Sequence, residues 1–262
     1  MNFYFPKLLA IVLYKFIYVP KRFYPKNNDE ELISLALVKD LVVDNIRVKT
    51  FEWHSRGKVI LILHGWNSYA LSMRNIISSL VNNGYTVIAF DAPGHGLSKS
   101  KHSNTSYSNV ISWFIKNYRP SIIIGHSIGA FYALMQLNTL KLDFCIERFI
   151  AIAMPNNIKY ILDVNLDRFS NPKVKDKFYS IIKSKLDVYI EDVNLVKAYS
   201  QDPPFKCLLI HDRDDNVIPY AQSEILNKIW SNSEIYPTIG LGHNLILKNE
   251  MVINKVIEFI NS

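Results

Sequence analysis

The stretch Ile122-Ile123-Ile124-Gly125-His126-Ser127-Ile128-Gly129 decides the fold of this 262-residue chain. Its three isoleucines predict a buried strand, and the apolar residues 130–137 predict a helix directly after it. Between them lies a G-x-S-x-G pattern, in which a sharp strand-to-helix turn exposes the serine oxygen and small residues let strand and helix pass closely. A turn of small residues around a buried serine is the alternative. The flanking strand and helix favour an exposed nucleophile.

Length and composition indicate one large α/β domain with an insertion, because 262 residues are long for one domain and short for two. Hydrophobic residues make up 49% of the chain, which is ample for a sizeable core. The net charge is +7, but the lysines are scattered among acidic residues and form no stripe with aromatic partners. The sequence therefore does not indicate a nucleic-acid partner.

The cysteine pattern indicates free thiols. Cys145 and Cys207 are the two cysteines, each beside or within an apolar run, and no C-x-x-C spacing is present. We therefore expect a reducing compartment, the cytoplasm, with the inner face of the membrane left open as a peripheral location. Four histidines, each within a loop motif, lack the carboxylate spacing of a metal site, so neither a metal nor another cofactor is expected. These histidines are His64, His95, His126 and His211.

Residues 3–26 are the part of the chain in which charge is organised. The mostly apolar residues 3–19 are interrupted by Lys7 and Lys15, and no acidic residue precedes Asp29. No small-residue cleavage site follows, which argues against a secretory signal, and a lysine near the bilayer centre would cost a spanning helix about 2.5 kcal/mol or more. Two interpretations stay open, namely a basic helix lying in the membrane interface and a helix packed against the rest of the protein.

Strand-like and helix-like segments alternate through most of the chain, which predicts a mostly parallel central sheet with helices on both faces. The fold class is therefore α/β. The predicted strands cover residues 45–53, 58–63, 85–90, 121–124, 146–153, 206–210 and 234–237, and the predicted helices cover 68–81, 104–118, 220–230 and 246–260.

Residues 155–204 interrupt this alternation, because they carry apolar residues at helical spacing and no strand-like run. We interpret them as a helical cap inserted over the carboxyl edge of the sheet, where ligand sites lie. A side bundle that only stabilises the fold is the alternative. The predicted organisation is thus a helical N-terminal extension over residues 1–43, a core over 44–154 and 205–262, and the cap insertion.

Loops after the later strands carry the groups that a serine nucleophile requires, a histidine base and an acid that orients it. Asp212, Asp214 and Asp215 follow the strand at 206–210, and each is a candidate acid. His243 follows the last strand within Gly240-Leu241-Gly242-His243 and is the candidate base.

The loop after the strand at 58–63 supplies candidate groups for the oxyanion and the substrate. Gly65 lets the backbone turn there, so the amides of Trp66 and Ile128 are the expected oxyanion donors. Aromatic residues nearby suggest an apolar arm of the substrate. The candidate pocket residues are His64, Asn67, Tyr69 and Phe131.

Together these motifs resemble the α/β-hydrolase family from about residue 44 to the C-terminus. The matching elements are His64-Gly65, the run Asp91-Ala92-Pro93-Gly94-His95-Gly96-Leu97-Ser98, the turn at Ser127, and the acid and histidine loops. The resemblance implies a triad of Ser127, Asp215 and His243, in the chain order Ser, Asp, His, and a cap after residue 153. The chain departs from the family pattern at Asp212, where a glycine is common.

The expected activity is hydrolysis of a carboxylic ester or a related acyl compound through an acyl-enzyme, acting on a small-molecule or lipid-like substrate. Serine rather than aspartate at position 127 argues against epoxide or halide chemistry. The alternatives are a lipase or acyltransferase at the membrane periphery, reached through residues 3–26, and a binding module that keeps the fold without turnover. The sequence does not indicate an oligomeric state.

Overall fold

The computed structural model describes residues 4–99, 104–167, 171–186 and 189–262. Residues 1–3 of the expected N-terminal extension, and residues 168–170 and 187–188 of the expected insertion, lie outside this described part. The strands of the described residues are β1 (Leu37–Val43), β2 (Ile46–Trp53), β3 (Val59–Leu63), β4 (Thr86–Phe90), β5 (Ile122–His126), β6 (Arg148–Ile152), β7 (Lys206–Asp212) and β8 (Ser233–Thr238).

Helices occupy most of the segments between these strands. Short 3₁₀ turns cover Asn27–Asp29, Ala70–Met73, Ile190–Asp192 and Ile246–Lys248. The α-helices are α1 (Tyr4–Tyr18), α2 (Glu30–Ser34), α3 (Arg74–Asn82), α4 (Asn104–Tyr118), α5 (Ile128–Leu137), α6 (Ile158–Asp167), α7 (Pro172–Leu186), α8 (Leu195–Ala198), α9 (Ala221–Ile229), α10 (Gly242–Leu245) and α11 (Glu250–Asn261).

The strands form one sheet in the order β1-β2-β4-β3-β5-β6-β7-β8. The six strands from β4 to β8 in this order run parallel, whereas β2 pairs antiparallel with both β1 and β4. The predicted α/β class with a mostly parallel sheet is confirmed. Parallel strands end at a common edge, so the loops after β3, β5, β7 and β8 meet there.

Strand β1 is an element that the sequence did not predict. Leu37–Val43 falls within the expected helical extension, but these residues pair with β2 over their whole length. The apolar residues of β1 do not alternate cleanly, because this edge strand is largely exposed. A hairpin turn at Asp44 and Asn45, both with positive φ (47° and 65°), fixes the pairing, and such residues favour this turn.

Two apolar layers cover the faces of the sheet. Helices α4 and α5 contribute to one layer, in which Phe90, Phe114 and Phe131 are buried. Helices α3 and α11 contribute to the other, with Ile77 and Val256 among its buried residues. Helices therefore shield both faces from water, as a parallel sheet requires.

The last helix is interrupted at its start and anchored at its end. The segment predicted as one helix over 246–260 is a 3₁₀ turn followed by α11, because Asn249 is extended and caps α11 by accepting a hydrogen bond from Val252 N. At the other end, Arg148 Nε donates to Ile260 O (3.2 Å), and Tyr85 Oη donates to Asn261 Oδ1 (2.6 Å). Arg148 and Tyr85 lie at the amino ends of their strands, so α11 ends at that edge of the sheet.

Helix α1 packs on the helices between β6 and β7. Ala10 and Leu13 of α1 form a small core with Leu166 of α6 and with Val174 and Phe178 of α7, all 8% exposed or less. Among the described residues, no helix has the length and apolar character needed to cross a membrane.

Candidate active site

Ser127 lies in the turn between β5 and α5, in a backbone conformation that few residues adopt. Its φ is 53° and its ψ is −125°, and Ser127 N donates to Ile152 O (2.9 Å) on the adjacent strand. A non-glycine residue is strained there, so the surrounding packing must hold it. This strained turn directs the serine to the carboxyl edge of the sheet.

Glycines around Ser127 are required by close approach of the backbone. A Cβ on Gly125 would lie 2.5 Å from Ala130 Cα, and one on Gly129 would lie 2.4 Å from His64 O. A Cβ on Gly65 would lie 3.1 Å from Ser127 Cβ. The loop after β3 therefore passes directly against the serine.

The structure brings Ser127, His243 and Asp215 into one hydrogen-bonded chain. His243 Nε2 is 3.1 Å from Ser127 Oγ, and His243 Nδ1 is 2.7 Å from Asp215 Oδ2. Ser127 and Asp215 are 7% and 6% exposed, so little of either side chain meets water. In this geometry Nδ1–H donates to the carboxylate and Nε2 is free to accept the serine proton.

Hydrogen bonds fix the Asp215 carboxylate in its ionised form. Burial alone would raise the pKa of Asp215, but contacts with the rings of His211 and His243 and with the amide of Ile218 lower it below its usual range. Asp215 Oδ1 accepts from Val217 N (2.8 Å) and Ile218 N (2.9 Å), which leaves Oδ2 for His243. The carboxylate is thus charged and oriented over the whole neutral range.

The neighbouring acids make different contacts. Asp212 Oδ2 accepts from Thr238 Oγ1 (2.7 Å) and from Leu241 N (3.0 Å), and Asp214 Oδ2 accepts from Gly240 N (3.0 Å). Both therefore fasten the loop that carries His243 to the loop after β7. The departure from the family pattern at Asp212 has this structural role.

The two expected oxyanion donors belong to the helix after Ser127 and to the loop after β3. Ile128 begins α5, so its amide has no acceptor within the helix. Trp66 follows Gly65 in the loop that passes against the serine, and its half-buried ring lies edge-on to His95.

His64 supports the loop from the interior. It is fully buried, with Nε2 accepting from Ala92 N (2.9 Å) and Nδ1 donating to Gly65 O (2.7 Å). Burial lowers the pKa of His64 to about 4, which agrees with a neutral ring. His64 thus joins the loop at Gly65 to the Asp91–Ser98 loop and does not line a pocket.

The other candidate pocket residues differ in their exposure to solvent. Phe131 is fully buried because it lies on the face of α5 that packs on the sheet. Tyr69 is 6% exposed, and its hydroxyl donates to Asp29 Oδ2 (3.2 Å). Asn67 remains at the surface with φ 50°, next to Trp66.

Two contacts near the site could not have been found from sequence. Lys21 N donates to Asn67 Oδ1 (2.7 Å), and Arg22 Nε donates to Gly94 O (3.4 Å), so the chain after α1 lies against the loops beside Ser127. These residues are 46 and 72 positions apart from their partners, and no local pattern signals such pairing.

His126 contacts both the backbone and the ring of His243. Its Nε2 donates to His243 O (2.9 Å), and the two ring centroids are 4.8 Å apart. Burial, together with the nearby charge of His243, lowers the pKa of His126 to about 3. The ring is therefore neutral, and it supports the backbone of the base. Among the described residues, no three histidine, cysteine or acidic side chains form a cluster suited to a metal ion.

Comparison with known proteins gives consistent results. A model of the alpha/beta hydrolase family matches residues 60–169. A putative esterase/lipase of Mycoplasma genitalium is 27% identical over 231 residues, covering 79% of this chain and 83% of that protein. The 30 kDa subunit of magnesium chelatase from Rhodobacter capsulatus is 35% identical over 102 residues, covering 37% of this chain and 34% of that protein.

A solved structure has the same fold across nearly the whole chain. It is an esterase of Pyrococcus furiosus, with a TM-score of 0.68 and 22% identity, covering 92% of this chain and 95% of that one. The matches span only about a third of the length of the first two curated relatives. The chain therefore has the α/β-hydrolase fold, and residues 60–169 match the model of that family.

Proposed function

We propose that this protein is a serine hydrolase that cleaves carboxylic esters or related acyl compounds through an acyl-enzyme. The hydrogen-bonded chain from Ser127 through His243 to Asp215, with distances of 3.1 and 2.7 Å, is the observation that carries the proposal. These are the contacts that make a serine hydroxyl nucleophilic at neutral pH.

Acylation begins when Ser127 Oγ attacks the ester carbonyl and His243 Nε2 takes its proton. Asp215 stabilises the imidazolium through Nδ1–H. The amides of Trp66 and Ile128 stabilise the negative charge that develops on the carbonyl oxygen, and loss of one such donor typically lowers the rate by about 10²–10³. His243 then donates its proton to the leaving alcohol, and the acyl group remains on Ser127.

Deacylation repeats these steps with water. His243 removes a proton from water, the hydroxide attacks the acyl carbonyl, and the carboxylic acid leaves as Ser127 regains its proton. The strained turn at Ser127 and the buried, ionised Asp215 hold the groups in place before substrate arrives.

The helices α6 to α8, between β6 and β7, are proposed to cap the site. They leave the carboxyl end of β6, the strand next to β5, and return to the amino end of β7. A cap there would select the acyl or alcohol part of the substrate. A lipase or acyltransferase would use the same triad, and the relative described as an esterase/lipase favours esters over other acyl compounds.

Hydrolysis of a chain-length panel of p-nitrophenyl esters tests the proposal. The wild-type protein should hydrolyse at least one member of the panel, and Ser127→Ala should lower kcat by about 10⁴-fold or more. A fluorophosphonate probe should label the wild type and not the variant, which reports the nucleophile without depending on the panel. Absence of both turnover and labelling would contradict the proposal and favour a binding module without catalytic activity.

A further inference from the structure

Helix α1 presents an apolar face that no part of the described protein covers. Leu8, Val12 and Phe16 lie four residues apart on this helix and are 63%, 53% and 66% exposed. The exposed residues Val19 and Phe23 continue the apolar surface past the end of α1. We call Leu8, Val12, Phe16, Val19 and Phe23 the α1 outer face. Contiguous exposed apolar side chains of this kind indicate an interaction surface.

A lysine-rich groove borders this face. Helices α1 and α7 enclose a groove of about 560 Å³ whose floor includes Ile11, Tyr14 and Ile181. Its rim carries exposed lysines from both helices, and none of them forms an ion pair with an acidic side chain of the described residues. The rim lysines are Lys7, Lys15, Lys177 and Lys185.

The chain segment that forms the α1 outer face carries positive charge only. No acidic residue precedes Asp29 in the chain, and Asp29 is itself fully buried and paired with Arg74. Helix α7 carries five lysines and one aspartate over fifteen residues. A helix that serves only to pack in the core is expected to be less positive and less exposed than α1 and α7. An anionic lipid surface complements both the positive charge and the exposed apolar side chains.

We propose that the α1 outer face and the rim lysines dock the protein on an anionic membrane surface. The apolar side chains enter the boundary between headgroups and acyl chains, while the lysines contact lipid phosphates. The other side of α1 stays packed on α6 and α7, so the helix lies on the bilayer without leaving the body of the protein.

Docking in this way would bring the candidate active site close to the lipids. The chain leaving α1 is hydrogen bonded to Asn67 and Gly94, which lie in the two loops beside Ser127. Lys21 Nζ also lies 5.6 Å from the centroid of the Phe16 ring, so the docking face and this segment are contiguous. The edge of the sheet that carries Ser127 therefore borders the docking face.

Cosedimentation of the full chain with vesicles tests the proposal without requiring turnover, so its outcome is independent of esterase activity. Wild-type protein should bind vesicles of phosphatidylglycerol and phosphatidylcholine, and bind pure phosphatidylcholine much more weakly. Lys7→Gln with Lys15→Gln should lower the partition coefficient about 25-fold, since each lysine near an anionic surface contributes about fivefold. Raising the salt concentration should mimic this loss.

The apolar contribution is tested separately. Replacing Leu8, Val12 and Phe16 together by Gln should lower binding by about 100-fold or more, because their apolar area no longer enters the bilayer. Met251→Gln is the matched control, since Met251 is also 63% exposed but lies on α11. Circular dichroism and thermal unfolding establish that each variant is folded.

Two results would overturn the proposal. One is wild-type protein that stays in the supernatant with anionic vesicles at low salt. The other is a stable dimer that dissociates when Leu8, Val12 and Phe16 are replaced while vesicle binding is absent, which would make the α1 outer face a contact between two copies of the chain.

Discussion

Asp212 ends β7, and Asp214 and Asp215 lie in the loop after it, yet of the three only Asp215 is hydrogen bonded to His243. We expect Asp215→Asn to lower kcat by about 10⁴-fold, because the amide no longer stabilises the imidazolium or holds the required tautomer. Steady-state kinetics on the best ester of the panel measures this change.

Asp214→Asn is the matched control for this prediction. Its side chain is exposed and accepts one hydrogen bond from Gly240 N, which an amide oxygen can also accept. The variant should keep nearly all of the wild-type kcat. Equal losses of kcat in both variants would show that His243 depends on the conformation of the loop and not on the Asp215 carboxylate.

His126 should make the stability of the fold depend on pH. Its folded pKa is lowered to about 3, whereas the unfolded side chain titrates near 6.5. As the pH falls below 6.5, the unfolded chain binds a proton that the folded protein does not, so the free energy of unfolding falls. From pH 7 to pH 5, protonation of unfolded His126 lowers the free energy of unfolding by about 2 kcal/mol.

Urea unfolding of wild-type protein and His126→Gln at both pH values measures this contribution. Asp91 works in the opposite direction, since burial raises its pKa to about 6, but it is present in both proteins and cancels in the difference. The wild type should lose about 2 kcal/mol more than the variant on acidification. Equal losses would mean that folded His126 binds a proton as readily as the unfolded chain does.

At the scale of elements, the contact between α5 and the end of β3 sets the position of the nucleophile. Gly129→Ala would place a Cβ 2.4 Å from His64 O, a backbone atom that cannot rotate away. We expect the free energy of unfolding to fall by about 1–3 kcal/mol. Because α5 must move relative to the loop at Trp66, kcat should fall as well.

Gly240→Ala separates this packing effect from the effect of a glycine's backbone freedom. Gly240 has a φ of 78° but open space around its Cβ position. The substitution should therefore cost only the conformational penalty of about 1 kcal/mol. If both substitutions lowered the free energy of unfolding equally in urea, the close packing of α5 would not explain the need for glycine at position 129.

Elements with a strong local pattern could be predicted, and those fixed by distant contacts could not. The buried strands β3 and β5 and the turn at Ser127 follow from runs of apolar residues and flanking glycines. Strand β1 was missed because its exposed edge position removes the alternation. The burial of Phe131 and Tyr69 could not be predicted, since proximity in sequence to the site does not determine which way a side chain points.

At the scale of the whole molecule, the question left open by sequence was whether α1 packs on the body of the protein. One side of α1 does so in the structure. Leu13→Ala should lower the free energy of unfolding by about 2–4 kcal/mol, because Leu13 is 8% exposed and packs with residues of α6 and α7.

Val12→Ala is the adjacent control, since Val12 is 53% exposed. Its effect on unfolding should stay within about 0.5 kcal/mol, as for other surface positions. Chemical denaturation of the two variants beside the wild type gives both values. Equal small effects would mean that α1 is detached from the body in solution.

The end of α11 has a practical consequence for how the protein can be handled. Arg148 and Tyr85 hold residues 260 and 261 at the amino ends of β6 and β4, whereas Ser127 lies beyond the carboxyl end of β5. A biotin or histidine tag joined after Ser262 would therefore attach the molecule to a resin or sensor chip by the edge remote from the nucleophile. When the protein is captured in this orientation, the triad and α1 should remain accessible to esters and vesicles supplied in the flow.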